Sequence, residues 1–251
     1  METHAAPLIS VVIPTRDAAA SIDDCLRSLA GQSFEDFDVW ILDGGSADNT
    51  ADLARPYAGK VGHTLHVRVE ADRGPYEAMN KGITLSRGQW LYFMGADDRL
   101  HDPDVLADVA AQLRDVTPDM LYGDVINRST GNRYGGEWSL DRLLFEANIC
   151  HQAVFYRRSL FERVGGFSLR YPIWADWDLN IRCFRHPGLS IRWVDRLVAE
   201  YNDRAGLSRG EDPVFRKELP RTILRDAKRR CAWPAGWVHW LGGLLAGRGR
   251  N

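Results

Sequence analysis

Residues 89–98, Gln-Trp-Leu-Tyr-Phe-Met-Gly-Ala-Asp-Asp, constrain this chain more than any other stretch. The apolar and aromatic run over 90–94 is short and lies between Gly88 and Gly95. Such a run predicts a strand buried on both faces, as in a parallel sheet. It stops at two adjacent carboxylates, Asp97 and Asp98. In an open α/β sheet, ligands bind just beyond the carboxyl ends of the strands. Two carboxylates there repel each other and lose hydration unless a cation joins them to an anionic ligand. Hard oxygen ligands suit Mg²⁺ or Mn²⁺, which commonly bridge to diphosphate. The expectation is a metal–diphosphate site at Asp97 and Asp98. A helix cap or a solvated turn would explain an isolated Asp-Asp pair as well.

The preceding chain alternates strand and helix. Residues 8–13 are a β-branched run stopped by Pro14, which predicts a strand. Ser21 reads as an N-cap, Ile22, Cys25, Leu26 and Leu29 fall at helical spacing, and Gly31 closes the helix. Residues 38–42 form the second strand and run into Asp43-Gly44-Gly45-Ser46, a turn whose glycines let backbone approach a ligand. Further helices are expected over 50–57, 76–86 and from Pro103 to about 114, with strands over 65–70 and 120–122. This order implies a mostly parallel central sheet with helices on both faces, and it places Thr15, Asp43 and Asp97/Asp98 on one rim. No GxGxxG follows the first strand and no GxxxxGK[ST] occurs anywhere, which disfavours a dinucleotide fold and a P-loop NTPase.

Composition sets outer limits. The chain has 251 residues, enough for one large α/β domain. A net charge of −2 gives no global case for nucleic acid. The first seven residues lack a secretory pattern, and Cys25, Cys150, Cys183 and Cys231 are too dispersed for a zinc cluster. Both points suit reduced thiols in the cytoplasm.

Four motifs stand in register: Val11-Val12-Ile13-Pro14-Thr15, Asp43-Gly44-Gly45-Ser46-Ala47-Asp48-Asn49-Thr50, Tyr76-Glu77-Ala78-Met79-Asn80-Lys81-Gly82, and Gly95-Ala96-Asp97-Asp98. Together they resemble the family 2 glycosyltransferases of GT-A fold, in particular a subgroup of colanic-acid and exopolysaccharide biosynthesis enzymes. The resemblance runs over about 7–208. It implies an inverting transfer: a nucleotide-diphospho-sugar, by family prior a UDP-sugar, binds at the rim, and Mg²⁺ or Mn²⁺ neutralises the diphosphate. An acceptor hydroxyl, on a glycan or lipid-linked molecule, then attacks the anomeric carbon. It also implies that Pro14, Thr15 and Asp43 contact the nucleoside and that Asp97 faces the donor. Which of Asp97 and Asp98 holds the metal stays open. Asp43 could instead cap its own turn through the Gly45 and Ser46 amides. Arg73 is a candidate for nucleoside or phosphate, and Asn80 is expected to brace the Asp97–Asp98 loop. Asp17 stands where the family commonly has Asn, so a direct donor contact is not carried over to it.

The second half is expected to hold the acceptor and the base. Residues 149–156 resemble the subgroup's His-Gln and following strand, which places His151 and Gln152 on the acceptor side. Gly165-Gly166-Phe167 resembles the turn before the catalytic segment. Trp174-Ala175-Asp176-Trp177-Asp178 opens a helix. A carboxylate at a helix N-terminus is stabilised as the anion, and a neighbouring Trp opposes this by desolvation. That balance suits a general base. By resemblance the base is Asp176, with Asp178 the fallback, a plain N-cap the structural alternative, and Trp174 and Trp177 at the acceptor. Ala175 replaces the family's usual Glu. A last strand is expected over 190–194, and the Gly-Leu-Ser loop that follows makes Arg204, Arg209 and Ser208 candidate donor contacts.

These readings divide the chain into a catalytic domain over 1–213, with a donor half of about 7–124 and an acceptor half of about 125–213, and a helical tail over 214–251. The tail is basic and carries Trp233, Trp237 and Trp240. Its apolar run is too broken to span a bilayer, but Trp beside Lys and Arg suits an interface. Peripheral attachment to the inner face of the cytoplasmic membrane and a packed C-terminal helix are both consistent with it. A non-catalytic sugar-nucleotide-binding scaffold on the same fold is the alternative function. A nucleotidyltransferase is disfavoured, because Pro14-Thr15-Arg16-Asp17 is not its glycine-rich loop.

Overall fold

The computed structural model describes residues 6–115, 118–202 and 210–230. The chain divides into two compact units, Met1–Asp212 and Pro213–Asn251.

In the first unit, four strands pair in parallel: β1 (Ile9–Thr15), β2 (Phe37–Asp43), β3 (Thr64–Val69) and β4 (Trp90–Phe93). The helices between them are α1 (Ile22–Ala30), α2 (Thr50–Ala54), continued by a 3₁₀ turn (Arg55–Tyr57), and α3 (Pro75–Leu85). Val11, Val12 and Ile13 are fully buried. Each such side chain contributes about 1.5–3 kcal/mol of burial free energy. α3 approaches β1 closely, since a Cβ at Gly82 would lie 2.4 Å from Val12 Cγ1. β1 runs past Pro14 to Thr15. The Val12 carbonyl accepts from Met94 N, so the Pro14 nitrogen, two residues on, points to the same side, where pairing with β4 has already ended.

The remaining elements complete the sheet. They are β5 (Arg99–Leu100), α4 (Val105–Asp115), β6 (Met120–Asn127), β7 (Arg133–Tyr134), α5 (Leu140–Phe145), a 3₁₀ turn (His151–Ala153), β8 (Val154–Arg157), α6 (Arg158–Val164), α7 (Ala175–Arg185) and β9 (Ile191–Tyr201). The strand order is β3-β2-β1-β4-β8-β6-β9-β5, with β7 paired to β6. β8 enters antiparallel between β4 and β6, and β9 runs parallel to β6. Both β6 and β9 are longer than the sequence predicts. Gly123 and Asp124 interrupt the apolar run of β6, partial exposure and charged residues mask the pattern in β9, and their pairing from Met120↔Ile191 to Asn127↔Tyr201, with register shifts around Asp124, carries both onward.

In the second unit, α8 spans Pro213–Arg230 with Pro220 inside it. The Trp-rich part of the tail, from Cys231 onward, lies outside the described residues. No helix among the described residues is long and apolar enough to cross a membrane.

Candidate functional site

The rim beyond β1 and β4 opens into a cleft of about 1140 Å³. Its lining includes Pro14, Thr15, Tyr76, Asp97, Asp98, His151, Gln152, Trp174, Asp176 and Trp177. Most residues singled out in the sequence therefore meet on one surface.

At the β4 end, the two carboxylates differ sharply. Asp98 is 2% exposed and both its oxygens are engaged. Oδ1 accepts from Asn202 N at 2.9 Å, and Oδ2 accepts from Gln152 Nε2 at 2.7 Å and Gly95 N at 3.2 Å. Burial, then the charge of Asp97, pushes the Asp98 pKa up, and the Asn202 and Gln152 hydrogen bonds offset part of this. Asp97 is half-buried, and its Oδ2 accepts from Asn202 Nδ2 at 3.1 Å. A virtual Cβ at Gly95 would come within 3.0 Å of Asp97 Oδ1 and 2.4 Å of Asp98 Oδ2, so the absence of a side chain there lets both carboxylates turn toward the strand end. No group of three or more His, Cys, Asp or Glu able to hold a metal occurs among the described residues. The donor set nonetheless fits one hard cation in a limited way. Asp97 offers a carboxylate in the cleft, and diphosphate and water oxygens would complete the coordination, as is usual for Mg²⁺.

At the β1 and β2 ends, Asp43 is 1% exposed and serves its own turn. Oδ1 accepts from Gly45 N at 2.9 Å and Ser46 N at 2.7 Å, and Oδ2 accepts from Ser46 Oγ at 2.8 Å and Thr15 Oγ1 at 3.4 Å. The turn-capping alternative describes this geometry, and Asp43 is not among the residues lining the cleft. Asp17 adopts φ 51° and locks the two loops together, its N–H donating to Ser46 Oγ and its Oδ1 accepting from Ala47 N.

Two expected donor residues point elsewhere. Arg73 is exposed and pairs with Glu77, Nε to Oε2 at 2.8 Å. Asn80 does not brace the Asp97–Asp98 loop. Its Nδ2 donates to Phe167 O at 2.9 Å and its Oδ1 accepts from Phe167 N at 2.9 Å. It thereby pins the Gly165-Gly166-Phe167 turn to α3. Gly166 must be small there, because a Cβ would lie 2.4 Å from Asn80 Oδ1. Arg204 and Ser208, with Arg209, lie outside the described residues.

On the opposite wall, Asp176 sits in the first turn of α7, where Trp174 occupies the cap position, so Asp176 is not the N-cap. It is 8% exposed. Its Oδ1 lies 2.8 Å from the Tyr76 hydroxyl, and its Oδ2 accepts from Asn148 Nδ2 at 2.9 Å. His151 Nδ1 stands 3.6 Å from the same Oδ2. Burial opposes a charge on His151, but hydrogen bonding to Asp176 and the charges of Asp176, Asp98 and Asp97 outweigh it and raise its pKa above the ordinary value. Trp174 and Trp177 are tilted against each other with centroids 5.4 Å apart, and Trp177 Nε1 donates to Leu143 O at 2.7 Å. Asp178, the fallback base, is tied to Arg182 at 2.8 Å.

Tyr76, Asn148, Asn202 and Asp212 are contacts the sequence reading did not assign. Asp212 is fully buried, and its Oδ2 accepts from Ile173 N at 3.1 Å and Trp174 N at 3.3 Å, fixing the chain just before Asp176. Tyr76 opens one of the four motifs, Asn148 stands just before the His151-Gln152 segment and Asn202 just after β9, so these three had a signal in their neighbourhood, and Asp212 had none.

Comparison with known proteins identifies the family and the fold. Residues 10–151 match the family described as Glycosyl transferase family 2. Over 218 residues the chain is 50% identical to a PGL/p-HBAD biosynthesis glycosyltransferase of Mycobacterium bovis (strain BCG / Pasteur 1173P2), covering 86% of this chain and 85% of that one. It is 31% identical over 185 residues to the O-antigen biosynthesis protein RfbC of Myxococcus xanthus, covering 70% of this chain and 14% of that protein. Among solved structures it resembles S. aureus TarS 1-349 in complex with UDP-GlcNAc, with TM-score 0.67 and 22% identity, over 81% of this chain and 61% of that one. It also resembles the mannosyltransferase PcManGT from Pyrobaculum calidifontis in complex with GDP-Man and Mn2+, with TM-score 0.63 and 19% identity, over 96% of this chain and 81% of that one. At these identities the solved structures speak for the fold. With the family match over 10–151 and the 50% identical relative, the conclusion is that this chain belongs to glycosyltransferase family 2 and has its GT-A fold.

Proposed function

We propose that the protein is an inverting glycosyltransferase that moves a sugar from a nucleotide-diphospho-sugar, by preference a UDP-sugar, to a hydroxyl of a glycan or lipid-linked acceptor in cell-surface saccharide synthesis. One observation carries the reading: a buried carboxylate at a helix N-terminus, Asp176, shares a cleft with the Asp97–Asp98 strand end. The donor's diphosphate would lie at the strand end and the acceptor hydroxyl at Asp176. Asp176 takes the acceptor's proton as the new bond forms, and Trp174 and Trp177 wall the acceptor side. A divalent cation held by Asp97 would supply the positive charge that a departing nucleoside diphosphate needs. Asp98 holds the loop in shape through Gln152 and Asn202.

The relatives support the saccharide product: one is named for PGL/p-HBAD biosynthesis and another for O-antigen biosynthesis. The structural neighbours, in complex with UDP-GlcNAc or with GDP-Man and Mn2+, support the donor class and the cation. We place the protein in the cytoplasm, with its basic Trp-containing tail on the membrane face where a lipid-linked acceptor would be reached. Loss of liposome co-sedimentation on deleting residues 231–251 tests that placement, and unchanged binding would overturn it.

The test of the reaction is a donor screen. Purified protein is incubated with UDP-, GDP- and dTDP-sugars in Mn²⁺, Mg²⁺ or EDTA, beside Asp176→Asn. Cation-dependent binding of one donor class, with Asp176→Asn keeping binding and losing turnover, is expected. Failure to bind any donor, or full turnover by Asp176→Asn, would reject the reading.

A further inference from the structure

The hydrogen bonds behind Asp176 form a chain with one direction. Asn148 Nδ2 donates to Asp176 Oδ2 at 2.9 Å. Asn180 Nδ2 donates to Asn148 Oδ1 at 2.9 Å, and Tyr156 OH donates to Asn180 Oδ1 at 2.9 Å. An ionised carboxylate can only accept, so Asn148 must present its amide nitrogen to it. The Asn148 oxygen then faces Asn180 and must receive a donor. That requirement turns the Asn180 oxygen to Tyr156, whose hydroxyl must give its one proton to it. Every donor along the chain therefore points toward Asp176. Asn180 is fully buried on α7 and Tyr156 fully buried on β8. Water does not compete for them, and the orientation is fixed by the core.

Tyr76 acts on the other oxygen. Its hydroxyl lies 2.8 Å from Asp176 Oδ1 and 2.6 Å from the Ile173 carbonyl. Both are acceptors, so its single proton is shared between them, and the ring is held by stacking on Phe167 with centroids 5.5 Å apart. Burial and the Asp176 charge raise the Tyr76 pKa well above the ordinary value, so the hydroxyl stays a donor.

We infer that Tyr76 and the Asn148–Asn180–Tyr156 chain are positioning residues for the proton-accepting step: they hold the Asp176 carboxylate in place and aimed at the acceptor. This rests on the assignment of Asp176 as base. The groups facing the carboxylate are Tyr76 on α3, Asn148 before the 3₁₀ turn, and His151 within it. Tyr156 touches none of the cleft; it acts through two amides. Its removal separates a positioning role from a purely structural one.

The experiment measures hydrolysis of a panel of UDP- and GDP-hexoses, with water as the probe acceptor, across pH 5 to 9. Wild type, Tyr76→Phe, Tyr156→Phe and Asp176→Asn are compared, and UDP binding by calorimetry and circular dichroism report on folding. In Tyr76→Phe, kcat falls about tenfold, the scale of one hydrogen bond to a charged group. The donor KM stays within about twofold, because the group removed lies at the base. In Tyr156→Phe, kcat also falls while the donor KM and UDP binding stay near wild type, because the loss reaches Asp176 only through the two amides. If both folded variants keep the wild-type kcat while Asp176→Asn is inactive, the positioning role is wrong and the base assignment stands. If Asp176→Asn itself retains turnover, the base assignment fails and takes the positioning role with it. A loss of UDP binding or of fold in Tyr156→Phe that matches its loss of rate would mark the chain as structural and overturn the inference.

Discussion

Gln152 Nε2 donates to Asp98 Oδ2 at 2.7 Å, tying the segment after α5 to the end of β4 across 54 residues of chain. The Cys150 thiol, 2.8 Å from Gln152 Oε1, fixes the amide so that its nitrogen faces the carboxylate. Gln152→Ala leaves Asp98 Oδ2 with the Gly95 amide alone, at 3.2 Å. The expected loss is about 1–3 kcal/mol of folding stability, typical for a buried acceptor losing its partner. Urea unfolding measures it. A change under about 0.5 kcal/mol, the range of an ordinary surface substitution, would mean that the contact is replaced by solvent.

The two adjacent carboxylates should separate into different roles. Asp97→Asn is expected to weaken Mn²⁺ binding in the presence of UDP at least tenfold with little change in unfolding midpoint, because a ligand charge is removed from a half-buried site. Asp98→Asn is expected to do the reverse. Its new NH₂ would oppose the Gly95, Gln152 or Asn202 donors in a site 2% exposed, so stability falls first. Electron paramagnetic resonance of Mn²⁺ and thermal melts distinguish the two, and the opposite pattern would exchange the roles.

Arg196 holds Asp102 with two contacts, Nη1 to Oδ2 at 2.7 Å and Nη2 to Oδ1 at 2.6 Å. Hydrogen bonding from Arg196, aided by the Asp104 amide and against some desolvation, lowers the Asp102 pKa from 3.8 to about 2. The folded pKa is the lower one, so the pair's contribution is fully present above about pH 4. As pH falls further the unfolded chain takes the proton first, and the contribution is lost progressively down to about pH 2. Asp102 is 36% exposed, so screening keeps the contribution to roughly 1 kcal/mol. Asp102→Asn should flatten the stability curve over this window, and an unchanged slope would refute the assignment.

Gly166→Ala probes the clamp made by Asn80. The added Cβ would meet Asn80 Oδ1 at 2.4 Å, so Asn80 must release the Phe167 backbone or the turn must shift. A loss of about 1–3 kcal/mol is expected from overpacking. Because Phe167 stacks on Tyr76, turnover should fall with it. Asn80→Ala should reproduce the effect on turnover without a new clash, and a normal rate in that variant would uncouple the clamp from the site.

Legibility in the sequence followed the range of the interaction. β1, β2 and β4 were readable because β-branched and aromatic residues mark buried strands locally, and the residues at their ends were placed on one rim. The place of Asp176 in the first turn of a helix, between two Trp, was readable locally. The partners that decide what these residues do were not. Tyr76 and Asp176 stand 100 residues apart, and Asn80 and Phe167 stand 87 apart. No periodicity encodes such pairs. Asn80 was sent to the wrong loop for that reason: a helical Asn beside a motif gives no sign of which distant backbone it will meet. The six-residue α5 and the second half of the half-exposed β9 escaped because short or amphipathic elements leave too few regular positions to count.

The place of β8 in the sheet also dictates an order of events at synthesis. β8 pairs with β4 through Trp90↔Arg157 and with β6 through Met120↔Tyr156, yet it follows both in the chain. A polypeptide emerging from its N-terminus completes β4 and β6 first, and the edges that face β8 stay unpaired until Arg157 has been made. The waiting β4 edge includes Trp90, Leu91 and Tyr92, an apolar strand edge of the kind that recruits other chains. Closure of the sheet is thus a late, long-range step, slow by topology and exposed to aggregation. A fragment ending after β6 is not a smaller version of this enzyme but an open sheet seeking its missing strand.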